Sequence, residues 1–246
     1  MIQKSSAVVL KTIEFKESSL IATLFTKKHG KIAVIAKGAR RPKNKFAAFL
    51  VPGQVLEVIY YMKGSRSVQT LSDVSYSISL SELRYDVEKM AISTITMELV
   101  SQLVHENEVN EPFFEFLISF LPWLNKRENV SKIIIPYVQI RLAQLLGIGL
   151  QTNINRSEGV NKGYINIQTG ELSDEPSGSE AVALTSKQFT FVHRALHSAN
   201  SKLFDIELKS SELKELIEYL DKYFRYHIEG IKPRKSDKIF DQLIDK

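Results

Sequence analysis

The first eighty residues alternate apolar and polar positions over short runs; from about Ser81 the apolar positions fall three and four apart instead. "SAVVLKTIEF" has the composition of a strand, and "SLIATLFTKKHGKIAVIAKG" reads as two strands about a turn where His29 and Gly30 tolerate positive φ. "VPGQVLEVIYYMKG" and "SVQTLSDVSYSI" form a second pair, joined through the Gly-containing turn "MKGSR". About five short strands in so few residues predict a small closed barrel. An OB-fold is the leading expectation, and an SH3-like barrel satisfies the same pattern.

The period of the second part is helical. "SELRYDVEKMAISTITMELVSQLVHE" predicts a helix with Ser81 as its N-cap. "EPFFEFLISFLPWLNK" predicts another, with Pro112 in the first turn, where its missing N–H is tolerated. "VSKIIIPYVQIRLAQLLGIG" follows, with a kink expected at Pro136 and an end near Gly147. "TSKQFTFVHRALHSA" and "SSELKELIEYLDKYFRYHIEG" supply two more helices. Residues 150–184 interrupt this series with a polar, Gly-rich stretch in which "GYINIQTGEL" reads as a small hairpin. The expected architecture is α+β and multidomain: a barrel over 1–80, then an all-helical domain over 81–246 with an insertion at 150–184.

Charge is what gives the barrel a function. The net charge is +5, yet residues 1–80 hold 13 Lys and Arg against 4 Asp and Glu, while the rest of the chain holds 20 against 24. Such asymmetry predicts that the barrel meets a polyanion and the helical part does not. The densest segment is "KGARRPKNK", with Lys37, Arg40, Arg41, Lys43 and Lys45 among nine residues. Gly38 permits close backbone approach or an unusual φ, and Pro42 stiffens the chain beyond it. Lys27, Lys28, Lys31, Lys63 and Arg66 extend this basic wall from other turns. Phe46, Tyr60 and Tyr61 are candidates for stacking on bases. Adjacent strand residues point to opposite faces, so only one of the two tyrosines can serve.

Several chemistries are excluded. The chain has no cysteine, hence no disulfide, no thiolate zinc site and no cysteine nucleophile. His193 and His197 have i, i+4 spacing but lack the glutamate of a metalloprotease helix, and they read as two exposed histidines. The acids of the first eighty residues, Glu14, Glu17, Glu57 and Asp73, are too scattered for a two-metal nuclease. No phosphate-binding loop or Gly-x-Ser-x-Gly elbow occurs. These absences predict a binding protein that uses neither ATP nor a cofactor. No apolar run is long enough to span a bilayer, and the N-terminus lacks the apolar core of a secretory signal. A cytoplasmic protein without a membrane partner is expected.

Three patches carry a resemblance. "ESSLIATLFTKKHGKIAVIAKGARR", with Glu17-Ser18-Ser19-Leu20, Phe25-Thr26, Gly30 and Lys37-Gly38-Ala39-Arg40, is similar to the N-terminal region of the RecO family of bacterial DNA repair and recombination mediators. "PYVQIRLAQLLGIG" resembles that family's mid-chain helix, and "YFRYHIEGIKPRKS" its His-x-x-Gly stretch and basic tail. The resemblance implies an N-terminal OB-fold and a helical domain carrying a zinc-ribbon-like insertion. It implies binding of single- and double-stranded DNA, annealing of complementary strands, and help in loading recombinase onto strands coated by single-strand-binding protein. RecR, the acidic tail of single-strand-binding protein, and RecF are the implied partners. Tyr137 and Arg141, and the tail residues Lys232, Arg234 and Lys235, are candidates for partner binding. Many family members bind zinc through two Cys pairs in the insertion, which this chain lacks, so the expectation is the ribbon shape without zinc. The alternatives from the residues themselves are an RNA-binding OB protein, an enzyme with its site in the helical part, and a scaffold whose basic loop holds an acidic protein.

Overall fold

The computed structural model describes residues 1–154, 161–197 and 201–236; residues 155–160 of the expected insertion lie outside them. The described chain forms two compact units, residues 1–128 with 234–236, and residues 129–233.

The first unit is built on five strands: β1 (Ile2–Phe15), β2 (Ser19–Thr26), β3 (Gly30–Ala36), β4 (Val55–Tyr61) and β5 (Val68–Tyr76). They close in the order β1-β2-β3-β5-β4. β1 pairs with β4 to shut the cylinder, and β3 meets β5 in parallel through Ala33↔Val68 and Ile35↔Thr70. This is the five-stranded OB-type barrel the alternation predicts. Val9, Leu20, Ala22, Leu24, Ile32, Val34, Val58 and Tyr60 fill its interior. A one-turn helix, α1 (Phe46–Phe49), lies between β3 and β4, with Phe46 and Phe49 half-buried against the core.

Helical periodicity begins where expected, but with a break. α2 (Glu82–Tyr85) ends at Asp86, whose extended backbone stops it and whose carboxylate accepts from the Lys89 N–H to cap α3 (Val87–Leu103). Asp86 rather than Ser81 is therefore the cap of the long helix, and Ser81 caps α2 without a side-chain bond. α4 (Glu111–Lys126) starts at Asn110, which caps Phe113, with Pro112 in its first turn. Packing crosses the change of element type near residue 80: Phe114 of α4 meets Phe25 of β2 at a tilt of 54°, with 6.1 Å between ring centroids. The unit is completed from the far end of the chain. Glu98 of α3 accepts from the Lys235 and Ser236 N–H groups at 2.8 and 3.0 Å and from the Ser236 hydroxyl at 2.6 Å. Burial raises the Glu98 pKa, but these three donors and the nearby Arg234 charge outweigh it and hold the carboxyl below its ordinary value.

The second unit contains α5 (Ile134–Leu145), β6 (Lys162–Asn166), β7 (Leu172–Ser173), β8 (Ala181–Thr185), α6 (Ser186–His197) and α7 (Ser210–His227). α5 begins late enough that Pro136 sits in its first turn, so it starts the helix instead of kinking it. Gly147, at φ 77°, follows its end as expected. The hairpin is real, with Gly170 at φ 73°, and β8 joins it in a three-stranded sheet of order β7-β6-β8.

Asn166 fastens that sheet's turns. Its buried side chain accepts from the Gln168 and Thr169 N–H groups at 2.8 and 2.9 Å and donates to the Ser177 carbonyl. One amide thus joins two successive loops. Asn166→Ala should destabilise the second unit by about 1–3 kcal/mol, because it removes three hydrogen bonds made by one buried side chain. Amide exchange at Gln168 and Thr169 would report it, and unchanged protection there would refute the assignment.

Candidate nucleic-acid interface

A groove of about 350 Å³ opens where the β1–β2 turn meets the end of β3. It is lined by Phe15, Lys16, Ser18 and Ser19 on one side and Ile35, Lys37, Gly38 and Arg41 on the other. The register explains the meeting: Phe15 pairs with Ser19, and Leu20 with Ala36, so the basic segment leaves β3 beside the β1–β2 turn.

The segment is not a loose loop. Ala39 is buried, and the Arg40 N–H donates to the Ser18 carbonyl at 2.9 Å, fixing the segment to that turn. Arg41 N–H donates to the Gly38 carbonyl and Asn44 N–H to the Arg41 carbonyl, at 3.0 and 3.1 Å. Gly38 has φ 67°, and a Cβ there would meet the Arg41 stem at 3.4 Å. The left-handed φ is what glycine supplies here, and the Arg41 stem packs beside it at ordinary contact distance.

Charge within the segment is divided. Arg40 is paired with Glu14 at 2.9 Å and Lys45 with Asp73 at 3.5 Å. Lys37, Arg41 and Lys43 are exposed and have no ion pair among the described residues. The groove thus carries cations without internal counter-ions at its centre and compensated ones to either side.

Below the groove, the outer barrel face continues it with apolar contacts. Ile13 pairs with Ile21, and Ile21 with Ile35, giving one isoleucine row across three strands. Their neighbours Leu20, Ala22, Val34 and Ala36 face the core, so alternation turns the isoleucines outward. Phe15 is 37% exposed, and the Lys16 ammonium lies 5.5 Å from its ring centroid.

The other sequence-predicted residues separate into groups. Lys28, Lys63 and Arg66 are exposed. The β4–β5 turn bearing Lys63 and Arg66 is held by buried Gln69, which accepts from the Lys63 N–H and donates to the Lys63 and Arg66 carbonyls. Of the tyrosines, Tyr61 is 46% exposed, whereas Tyr60 is fully buried with its hydroxyl 2.7 Å from His29 Nδ1. Tyr60 is therefore core and not a stacking platform, and its burial raises its pKa. Phe46 is half-buried, packed against the barrel core.

Two lysines are spent on structure. Lys27 is bound by Glu115 at 3.0 Å and Glu111 at 4.0 Å, an attraction that raises its pKa. Lys31 is half-buried, donates to the Ser101 carbonyl at 2.9 Å, and has its pKa lowered by that burial. Neither extends the basic wall, because each points at the helices packed on the barrel. Arg234 is likewise buried beside Glu98, while Lys232 and Lys235 are exposed.

In the second unit Tyr137 packs edge-on against Phe204 at 5.2 Å, and Arg141 donates to Gln144 at 2.6 Å. A cavity of about 430 Å³ lies elsewhere in this unit, lined chiefly by Val130, Lys132, Ile133, Ile206, Leu208 and Leu213. His193 is buried and not exposed as expected, with Nε2 2.8 Å from the Ile154 carbonyl; His197 Nδ1 is 2.8 Å from the His193 carbonyl. Among the described residues no three His, Cys, Asp or Glu side chains cluster as metal ligands would. No described helix is long and apolar enough to cross a membrane.

Phe15, Lys16 and Ile35 are the site residues that sequence reasoning missed. An aromatic and a lysine placed directly before a polar turn were the available signal.

Comparison with known proteins finds matches to both parts of the chain. Residues 1–78 match the family described as Recombination protein O N terminal, and residues 84–237 match Recombination protein O C terminal. The chain is 32% identical over 250 residues to a DNA repair protein RecO of Salinibacter ruber, covering 98% of this chain and 94% of the relative. It is 28% identical over 246 residues to one of Exiguobacterium sp., covering 99% and 97%. A third, from Chloroherpeton thalassium, is 28% identical over 260 residues and is covered along its whole length.

Proposed function

Because this chain belongs to the RecO family of DNA repair and recombination proteins, we propose that it is a recombination mediator of the RecF-type pathway that performs no bond chemistry. It binds single- and double-stranded DNA, speeds annealing of complementary strands, and helps recombinase replace single-strand-binding protein. The observation that carries this reading is the groove at Phe15, Lys16, Lys37 and Arg41. Its cations release phosphate counter-ions without reading sequence, and its aromatic and isoleucine surface accepts base faces of any identity. Annealing needs charge neutralisation and exposed bases, and both lie on one barrel face.

RecR, RecF and the tail of single-strand-binding protein are the partners of this reading, and the cytoplasmic nucleoid its place of action. The cavity at Ile133, Ile206 and Leu213, with Lys132 and Glu207 both on its wall, offers an apolar floor for the apolar residues of such a tail. Neither nucleotide nor zinc enters the scheme, and Asn166 does the fastening in the insertion.

The test is to mix complementary labelled DNA strands with the purified protein, without nucleotide, and follow duplex formation. Acceleration is expected. No acceleration at any protein concentration would overturn the reading, and acceleration confined to RNA strands would move it to RNA.

A further inference from the structure

The ion pair beside the groove limits how much positive charge a strand meets. Arg40 is adjacent in sequence to Arg41, yet it faces Glu14 at 2.9 Å instead of lining the groove. Glu14 is 70% exposed at its side chain and comes from the end of β1, next to Phe15 of the groove wall. The two are 26 positions apart in sequence and meet because the Arg40 backbone is pinned to Ser18. A similar carboxylate, Asp73, holds Lys45 at the other end of the segment. No buried network demands the Glu14–Arg40 pair, and an exposed pair of this kind contributes little to stability, on the order of 0–1 kcal/mol.

We propose that Glu14 is a built-in phosphate mimic: it occupies Arg40 in competition with the nucleic-acid backbone and so sets the binding strength of the groove. A carboxylate presents to a guanidinium the same paired oxygens that a phosphate does. A phosphate reaching Arg40 must displace Glu14 and then sit beside a charge of its own sign. The strand is thus steered to Lys37 and Arg41 and held loosely on the Arg40 side, as suits a protein that must hand its strand on. Glu14 touches no ligand in this scheme and acts through Arg40 alone. The inference rests on the nucleic-acid reading above.

A double-mutant cycle tests it. Binding of a short oligodeoxythymidylate would be followed by fluorescence anisotropy across a salt series for the wild type, Glu14→Gln, Arg40→Ala and the double variant. Glu14→Gln keeps the shape and removes the charge. It should tighten binding about fivefold at low salt and steepen the salt dependence by about 0.7, the value for one more single-strand phosphate contact. Arg40→Ala alone should lose far less than Arg41→Ala. In the double variant the gain should vanish, whereas a general effect of net charge would keep it. A Glu14→Gln gain that survives without Arg40, or no gain at all, overturns the proposal while leaving DNA binding intact. Failure of the wild type to bind any strand would instead overturn the underlying reading.

Discussion

Replacing Lys37 and Arg41 together with alanine should weaken single-strand binding by roughly ten- to hundredfold at about 50 mM salt and lower the salt slope by about 1.4. Both side chains are exposed, both line the groove, and neither has an internal counter-ion among the described residues. Their full charge is therefore available to phosphate, unlike that of Arg40 or Lys45. The fold should survive, since no buried contact is removed; unfolding curves of the variant and wild type should coincide within about 0.5 kcal/mol. Lys27→Ala is the matched control. It deletes one positive charge, half of what the pair loses, from the β2–β3 turn at the other end of those strands, but that ammonium already sits between Glu115 and Glu111, so affinity should scarcely change. A loss from Lys27→Ala half as large in log Kd as that from the groove pair would mean that only net charge matters and that the groove is not the site.

Gly30→Ala should be the most damaging single substitution for stability, at about 3–5 kcal/mol. Gly30 turns the β2–β3 hairpin at φ 62°, and a Cβ on it would fall on the backbone carbonyl of Glu108. The hairpin and the 106–108 segment are also joined by the Asn107 N–H, which donates to the Lys31 carbonyl at 2.9 Å. Left-handed backbone strain and collision with a main chain that cannot rotate away act together, and each is costly alone. Gly64→Ala provides the comparison, for no atom lies within 4 Å of its would-be Cβ and its φ is not left-handed. Urea denaturation of the two variants should differ by several kcal/mol, and similar midpoints would show that residues 106–108 do not lie over the hairpin.

The barrel was legible because its strands are short, alternate cleanly, and are separated by turns whose glycines carry conformational information. The basic segment was legible because its five cations are consecutive enough to need no fold to assemble them. What escaped was everything set by pairing across strands. Alternation alone says that Tyr60 and Tyr61 face opposite ways; only the closure of β1 on β4 decides that Tyr60 is inside. Phe15 and Lys16 join Lys37 and Arg41 through the β1–β2–β3 register, over twenty residues of separation. The neutralisation of Arg40, Lys45, Lys27 and Arg234 depends on carboxylates from other elements, so a count of charges overstates the cations a ligand can reach. Ser81 was misplaced because Asp86, whose side chain bonds the Lys89 N–H, caps the long helix five residues later; Pro136 was misplaced because α5 begins only at Ile134.

The bond set at Glu98 reaches beyond its own few contacts. The polypeptide leaves the first unit after Glu128 and re-enters it at Arg234, so the first unit is assembled from two stretches far apart in sequence. On the ribosome, the barrel and its two long helices can collapse early, yet their last partner emerges only after some hundred intervening residues have been made. A stop codon that removes residues after Pro233 would therefore injure the half of the molecule made first, leaving the Glu98 carboxylate without its donors at the far side of the gene from the lesion.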